Sequence, residues 1–256
     1  MTAEQKKQLA HFFDVAGDYL RDGYRRFREE YRFADDAPRE QSLPARPLRA
    51  EPQAVSKLDP QDSLEKIAGE ISLCAKCALR ATRAQTVPGD GVKRPLVVVV
   101  GEGPGAEEDA SGKPFVGKAG QLLDKMIGSI NLSRTRNCFI TNIVKCRPPN
   151  NRDPLPEETA SCAEYLKRQI ARLKPAAILC AGRIAAQNLL NSGEGIGKLR
   201  GILTEYAGIP LIATYHPSAI LRNEDLKRPV WEDLKLLRAK LIELDEHYAL
   251  EIREGI

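Results

Sequence analysis

Apolar residues along this chain follow two rhythms. Short, largely apolar runs occupy residues 96–101 (LVVVVG), 138–144, 176–181 and 210–215 and read as strands. The four valines of the first are too short a run for a globular helix and too uniform for a half-exposed strand, so they predict a buried strand of a parallel sheet. Between them the apolar positions return every three or four residues, over 118–130, after Pro156, over 183–190 and over 230–244. In the last of these Leu234, Leu237, Leu241 and Leu244 share one helix face. Asp62 or Ser63 caps an earlier helix through Ile71, and a further short strand is expected at 201–205. Strands alternating with helices predict an α/β fold: a doubly wound, mostly parallel central sheet flanked by helices.

Ahead of this domain, Leu9, Phe13, Ala16, Leu20, Tyr24, Phe27 and Tyr31 step by three or four residues. They predict an amphipathic N-terminal helical extension over residues 1–33. It holds seven of the 14 aromatic residues, so its apolar face needs a cover: its own domain, a second copy, or the groove of a protein partner. Residues 34–60 shift to Pro, Arg, Ala, Glu and Gln and read as an extended linker, which leaves residues 61–256 for the α/β domain.

At 256 residues with 42% hydrophobic content the chain can bury one substantial core. The net charge of +4 permits an anionic partner without demanding one. Residues 1–60 balance eleven basic against eleven acidic side chains, so the excess lies in the α/β domain and the extension is no polybasic DNA arm. No apolar run reaches the ~18 residues of a membrane span, and the N-terminus lacks a signal-peptide core. A cytoplasmic protein with no membrane partner is expected. Six cysteines in such a compartment argue for metal or packing rather than disulfides.

The first strand opens into Gly101, Gly103 and Gly105 with Pro104, a loop whose backbone N–H groups can approach a flat or anionic group. Glu107, Glu108 and Asp109 follow at once, which makes it a poor phosphate cradle. Gly101-x-Gly103-x-x-Ala106 meets the dinucleotide fingerprint only formally, because the pyrophosphate would sit among carboxylates. The run from Gly112 to Lys118 imitates a phosphate loop, but Ala119 lacks the hydroxyl that would bind magnesium.

Cys74-x-x-Cys77 offers two thiolates to one centre, with Cys146 at a strand exit and Cys162 near a helix start free to join them. Spacing leaves zinc and an iron-sulfur cluster both open. Cys138 and Cys180 lie inside apolar strands and read as core residues.

Three stretches, GEGPGAEEDASGKPFVGKAGQLLD, FITNIVKCRPPNNRDPLPEE and YHPSAILRN, together with the four cysteines, resemble the family 4, iron-sulfur uracil-DNA glycosylases. The resemblance covers about residues 62–243. It implies that Cys74, Cys77, Cys146 and Cys162 ligate a [4Fe-4S] cluster with a structural role. It also implies a monofunctional enzyme that flips uracil out of single- or double-stranded DNA and hydrolyses the N-glycosidic bond. Phe115 would stack on the base, Asn142 would read its edge, and His216 would donate to O2, helped by the loop of Gly103, Pro104 and Gly105. Asp109 would join the uracil-binding set. Glu108, with Glu102 beside it, would line the pocket or position water, a role that competes with capping the following helix. Leu221 or Arg222 would fill the gap left by the flipped base, while Lys118, Ser218 and Arg222 would meet phosphates. Residues 198–201, KLRG, lack the histidine with which the crosslinking branch of the superfamily bonds to the sugar, so turnover is implied. Two other readings compete: a noncatalytic iron-sulfur DNA-binding module recruited to replication or repair machinery, and an iron-sulfur electron carrier.

Overall fold

The valines after Leu96 form the middle of the sheet. The structure, a computed structural model, describes residues 62–254; the expected helical extension and linker lie outside the described residues. Strand β2 (Val97–Gly101) is buried along its whole length because it has parallel neighbours on both sides, β3 (Cys138–Asn142) and β4 (Ala177–Ala181). Beyond β4 lies β6 (Ile209–Thr214), also parallel. Two antiparallel strands close the edges, β1 (Asp90–Gly91) beside β3 and β5 (Leu203–Tyr206) beside β6, giving the order β1-β3-β2-β4-β6-β5. The expected mostly parallel sheet is therefore present.

Alternate valines feed two cores. Val98 and Val100 pack with α1 (Leu64–Ser72), α4 (Pro156–Leu173) and α5 (Arg183–Leu190) through Ile71, Ile170 and Ala185. Val97 and Val99 face α3 (Lys118–Gly128) and α8 (Lys227–Leu244) through Leu123, Ile127, Leu234, Leu237 and Leu241. Helices on both faces and a chain that moves first from β2 to β3 and then back past β2 to β4 place a crevice at the carboxyl ends of β2 and β4.

Local chemistry explains the element ends. Ser63 caps α1, its Oγ accepting from the Lys66 N–H at 3.0 Å. The strand expected at 138–144 stops at Asn142, where its pairing with Gly101 ends. The helix expected through residue 130 ends at Gly128. Leu244 departs from the expected helix face: it lies in the last turn of α8 and is 45% exposed, while Tyr248 of α9 (Glu246–Glu254) is buried in that core. The strands expected at 201–205 and 210–215 form a hairpin, turned by Ala207 and Gly208 with φ of 50° and 79°. Three short helices escape the apolar rhythm: α2 (Ala106–Ser111), α6 (Ile196–Leu199) and α7 (Pro217–Arg222). Among the described residues no helix is long and apolar enough to cross a membrane.

A buried ion pair ties β6 to α8. Asp233, fully buried, accepts from Arg200 at 2.6 and 3.0 Å and from the Thr214 hydroxyl at 2.6 Å. Asp233→Ala leaves the guanidinium and hydroxyl without their acceptor, so it should cost about 3–5 kcal/mol in urea unfolding. A loss below ~1 kcal/mol would show that the pair does not hold these elements together.

Candidate active site

Each parallel strand delivers a residue to the crevice: β2 leads into Glu102, β3 ends in Asn142, β4 leads into Gly182, and β6 into Tyr215 and His216. Together they line a cleft of about 530 Å³ that also receives Gly103, Pro104, Gly105, Glu108 and Phe115. The structure thus gathers at one place most of the residues singled out from the sequence.

Asn142 is 1% exposed, and its Oδ1 is a buried side-chain acceptor without a hydrogen-bond partner among the described residues. Leaving such an acceptor unpaired costs about 1–3 kcal/mol, which marks it as facing a ligand. Gly101 lies against the same amide and the Phe115 ring, and a Cβ there would collide with both. Phe115 holds a left-handed φ of 53°. Arg134 fixes that bend by donating to the Pro114 carbonyl at 3.0 Å and the Phe115 carbonyl at 2.9 Å, and is itself held by Asp124. The Phe115 ring centroid lies 5.6 Å from that of His216.

His216 caps α7. Its Nδ1 accepts from the Ser218 N–H at 3.1 Å and meets the Ser218 hydroxyl at 2.8 Å. With Nδ1 as acceptor, the neutral ring carries its proton on Nε2. Burial, reinforced by the Arg222 charge, pushes the His216 pKa down to about 4, so the ring is neutral at pH 7. Gly182, at φ 105°, packs so closely on the His216 Cβ that no larger residue fits.

The acidic cluster divides into three environments. Glu108 spans the loop: one oxygen accepts from the Val116 and Gly117 N–H groups at 2.9 and 3.0 Å, the other from the Gly105 N–H at 3.1 Å. Although it borders the cleft, its carboxylate is committed to capping α2 and clasping the Phe115 loop. Asp109, expected in the uracil-binding set, is turned away from the cleft; it is buried and accepts from the Ala84 and Gln85 N–H groups at 3.0 and 3.3 Å. Glu102 is half-buried in the cleft, where burial and then the Asp153 charge raise its pKa to about 7 against the opposing pull of Arg183.

Of the residues expected at DNA, Arg222 and Ser218 line the cleft, and Leu221 is 52% exposed beside them. Ser218 already bonds His216, and Lys118 is exposed on α3 without lining the cleft. Sequence reasoning missed Gly182 and Tyr215, which the strand-end rule would have found. It also missed Arg152, Asp153 and Arg183 at the cleft, and Arg134 behind Phe115, for which linear sequence carries no signal.

On the α4 side of the sheet, Cys74, Cys77, Cys146 and Cys162 line a second, small cavity. Cys74 follows α1, Cys77 precedes a 3₁₀ turn (Ala78–Ala81), Cys146 follows β3, and Cys162 lies two turns inside α4 rather than near its start. Arg83 donates to the Cys146 sulfur at 3.1 Å and the Cys74 carbonyl at 3.0 Å. Burial raises the Cys146 thiol and pushes Cys162 up to about 11. Among the described residues no group of three or more His, Cys, Asp and Glu is arranged to hold a metal ion. Cys138 and Cys180 are fully buried strand residues, as expected.

The family model described as the uracil DNA glycosylase superfamily matches residues 88–235. Over 182 residues the chain is 43% identical to the type-4 uracil-DNA glycosylase of Archaeoglobus fulgidus, covering 68% of this chain and 91% of that protein. The type-4 enzyme of Sulfurisphaera tokodaii is 44% identical over 69% of this chain and 84% of its own length. That of Thermotoga maritima is 39% identical over 68% and 93%. With these matches spanning the cleft, the chain belongs to the uracil-DNA glycosylase superfamily, among its type-4 members.

Proposed function

We propose that this protein is a monofunctional uracil-DNA glycosylase in DNA repair, releasing uracil from DNA and leaving an abasic site. The relatives' names support the activity, and the observation that carries the reading is the unpaired, buried Oδ1 of Asn142 at the strand-end cleft. A base inside a duplex is out of reach, so the nucleotide is taken from a single strand or flipped into the cleft. Phe115 supplies a stacking ring. Asn142 Oδ1 accepts from uracil N3–H while its amide donates to O4. Cytosine presents the opposite pattern and would leave buried groups unpaired.

When the C1′–N1 bond breaks, its electrons stay with uracil, charge gathers on O2, and the sugar becomes an oxocarbenium ion. The Nε2–H of neutral His216 is the donor to O2, with the backbone near Gly103 as its helper. Glu102, rather than the committed Glu108, faces the cationic sugar, orients the attacking water and takes its proton as the new C1′–O bond forms. Arg222, which lines the cleft, meets phosphates, and the exposed Leu221 fills the vacated stack.

The four-cysteine cavity is read as the seat of a [4Fe-4S] cluster. Four thiols around one cavity fit an all-sulfur donor set, and the likeness to type-4 enzymes supports a cluster as its occupant. Cys74, Cys77, Cys146 and Cys162 would hold the cluster and through it join the end of α1, the exit of β3 and α4. A reducing, cytoplasmic setting suits the six free thiols.

Asn142→Ala should lower single-turnover uracil excision by about 100–1,000-fold, read by alkaline cleavage of abasic sites, with affinity for uracil-free DNA unchanged. Full excision by the variant would remove Asn142 from the reading, and DNA binding without excision by the wild type would favour the noncatalytic module.

The pH profile offers a second check. Because the carboxylate of Glu102 is the working form, the rate should fall as pH drops through about 7, and Glu102→Gln should be slow and flat across that range. His216, neutral down to about pH 4, should add no inflection near 6.5. The folded state holds the Glu102 proton more tightly than the unfolded chain, so ionising it costs stability as pH rises through 7. Glu102→Gln should therefore raise the melting temperature at pH 8 but not at pH 5; a change equal at both would contradict the assignment.

A further inference from the structure

Lys145 is an unusual residue to bury. It is 1% exposed, and its ammonium makes three hydrogen bonds: to the Thr141 hydroxyl at 2.6 Å, the Asn142 carbonyl at 2.8 Å and the Gln169 Oε1 at 2.8 Å. The acceptors are themselves fixed, since the Thr141 hydroxyl and the Gln169 amide both donate to the Pro88 carbonyl. All three are neutral. A cation taken out of water without a counter-charge carries a penalty of several kcal/mol, so hydrogen bonds to uncharged oxygens leave the burial unexplained. Among the described residues the buried carboxylates of Asp62, Glu158 and Asp233 pair with Arg168, Arg152 and Arg200, while the buried Asp109 is held by backbone N–H groups.

Lys145 also lines the same cavity as Cys74, Cys77, Cys146 and Cys162 and directly precedes Cys146 in the chain. Four thiolates around an iron-sulfur core carry net negative charge, which a buried ammonium can balance. The same ammonium holds the carbonyl of the residue whose amide points into the cleft.

We propose that Lys145 is the internal counter-cation of the four-cysteine metal centre and the positioning residue that ties that centre to Asn142. The inference rests on the cluster reading given above. Lys145 touches no substrate; it fixes the exit of β3 by its hydrogen bonds and lowers the electrostatic cost of gathering four thiolates.

The test compares anaerobically purified wild type, Lys145→Met and Gln169→Glu, as full chains. Lys145→Met removes the charge and the Asn142 contact together. Gln169→Glu keeps that contact but hands the ammonium a carboxylate, so the charge felt by the centre falls. Both variants should lose iron to a chelator about 10–100-fold faster than wild type. Both should also shift the centre to a lower midpoint potential, because removing positive charge favours the oxidised form. Uracil excision should drop in Lys145→Met and stay near the wild-type rate in Gln169→Glu. Wild-type potential and bleaching rate in Gln169→Glu would overturn the proposal even where Lys145→Met does not fold. Wild type without iron and acid-labile sulfide would overturn the cluster reading itself, and this inference with it.

Discussion

The site depends on the register of β2 against its two parallel neighbours. Gly101 pairs with Asn142 and Val100 with Cys180, so these strands end level and their exits open into one crevice. A slip of one residue in β3 would turn Asn142 to the opposite face of the sheet. The four valines specify against that slip from both sides, since Val98 and Val100 serve one core while Val97 and Val99 serve the other. The register of an entirely apolar strand thereby fixes the position of a polar side chain on its neighbour.

Residues that never meet the base carry much of the remaining order. Glu108 joins both ends of the loop that carries Phe115, and Arg134 holds that loop at its bend. Ser218 fixes which nitrogen of His216 bears the proton. Lys145 holds the backbone of Asn142 from behind. Buried polar groups are costly when unsatisfied; among the described residues every buried side-chain nitrogen and oxygen has a partner except Asn142 Oδ1, at the cleft.

The strands, the long helices and the capped start of α1 were legible because their signals are local: uniform apolar runs, a 3.6-residue rhythm and a serine cap. The strand ends that carry Asn142 and His216 were legible in the same way, but roles for these two residues came only with the family resemblance, because a strand-end Asn or His is as readily structural. Asp109 was misplaced because the sequence shows an acidic cluster but not which members face inward; its carboxylate caps the backbone at Ala84 and Gln85, 24 or more residues away. Leu244 was misassigned because periodicity does not reveal where a helix runs past its sheet. Arg134 and Gln169 carried no signal at all, since each acts through a contact made only after folding.

In the proposed reaction the Asn142 amide recognises uracil by accepting its N3–H. The most direct measurement compares single-turnover release of uracil and of N3-methyluracil from otherwise identical single-stranded oligonucleotides, with wild type and Asn142→Ala. The account predicts that methylation slows wild type by at least ~100-fold and leaves the already slow variant unchanged, because the buried acceptor is deprived of its partner in one case and absent in the other. Equal release of both bases by wild type would contradict it.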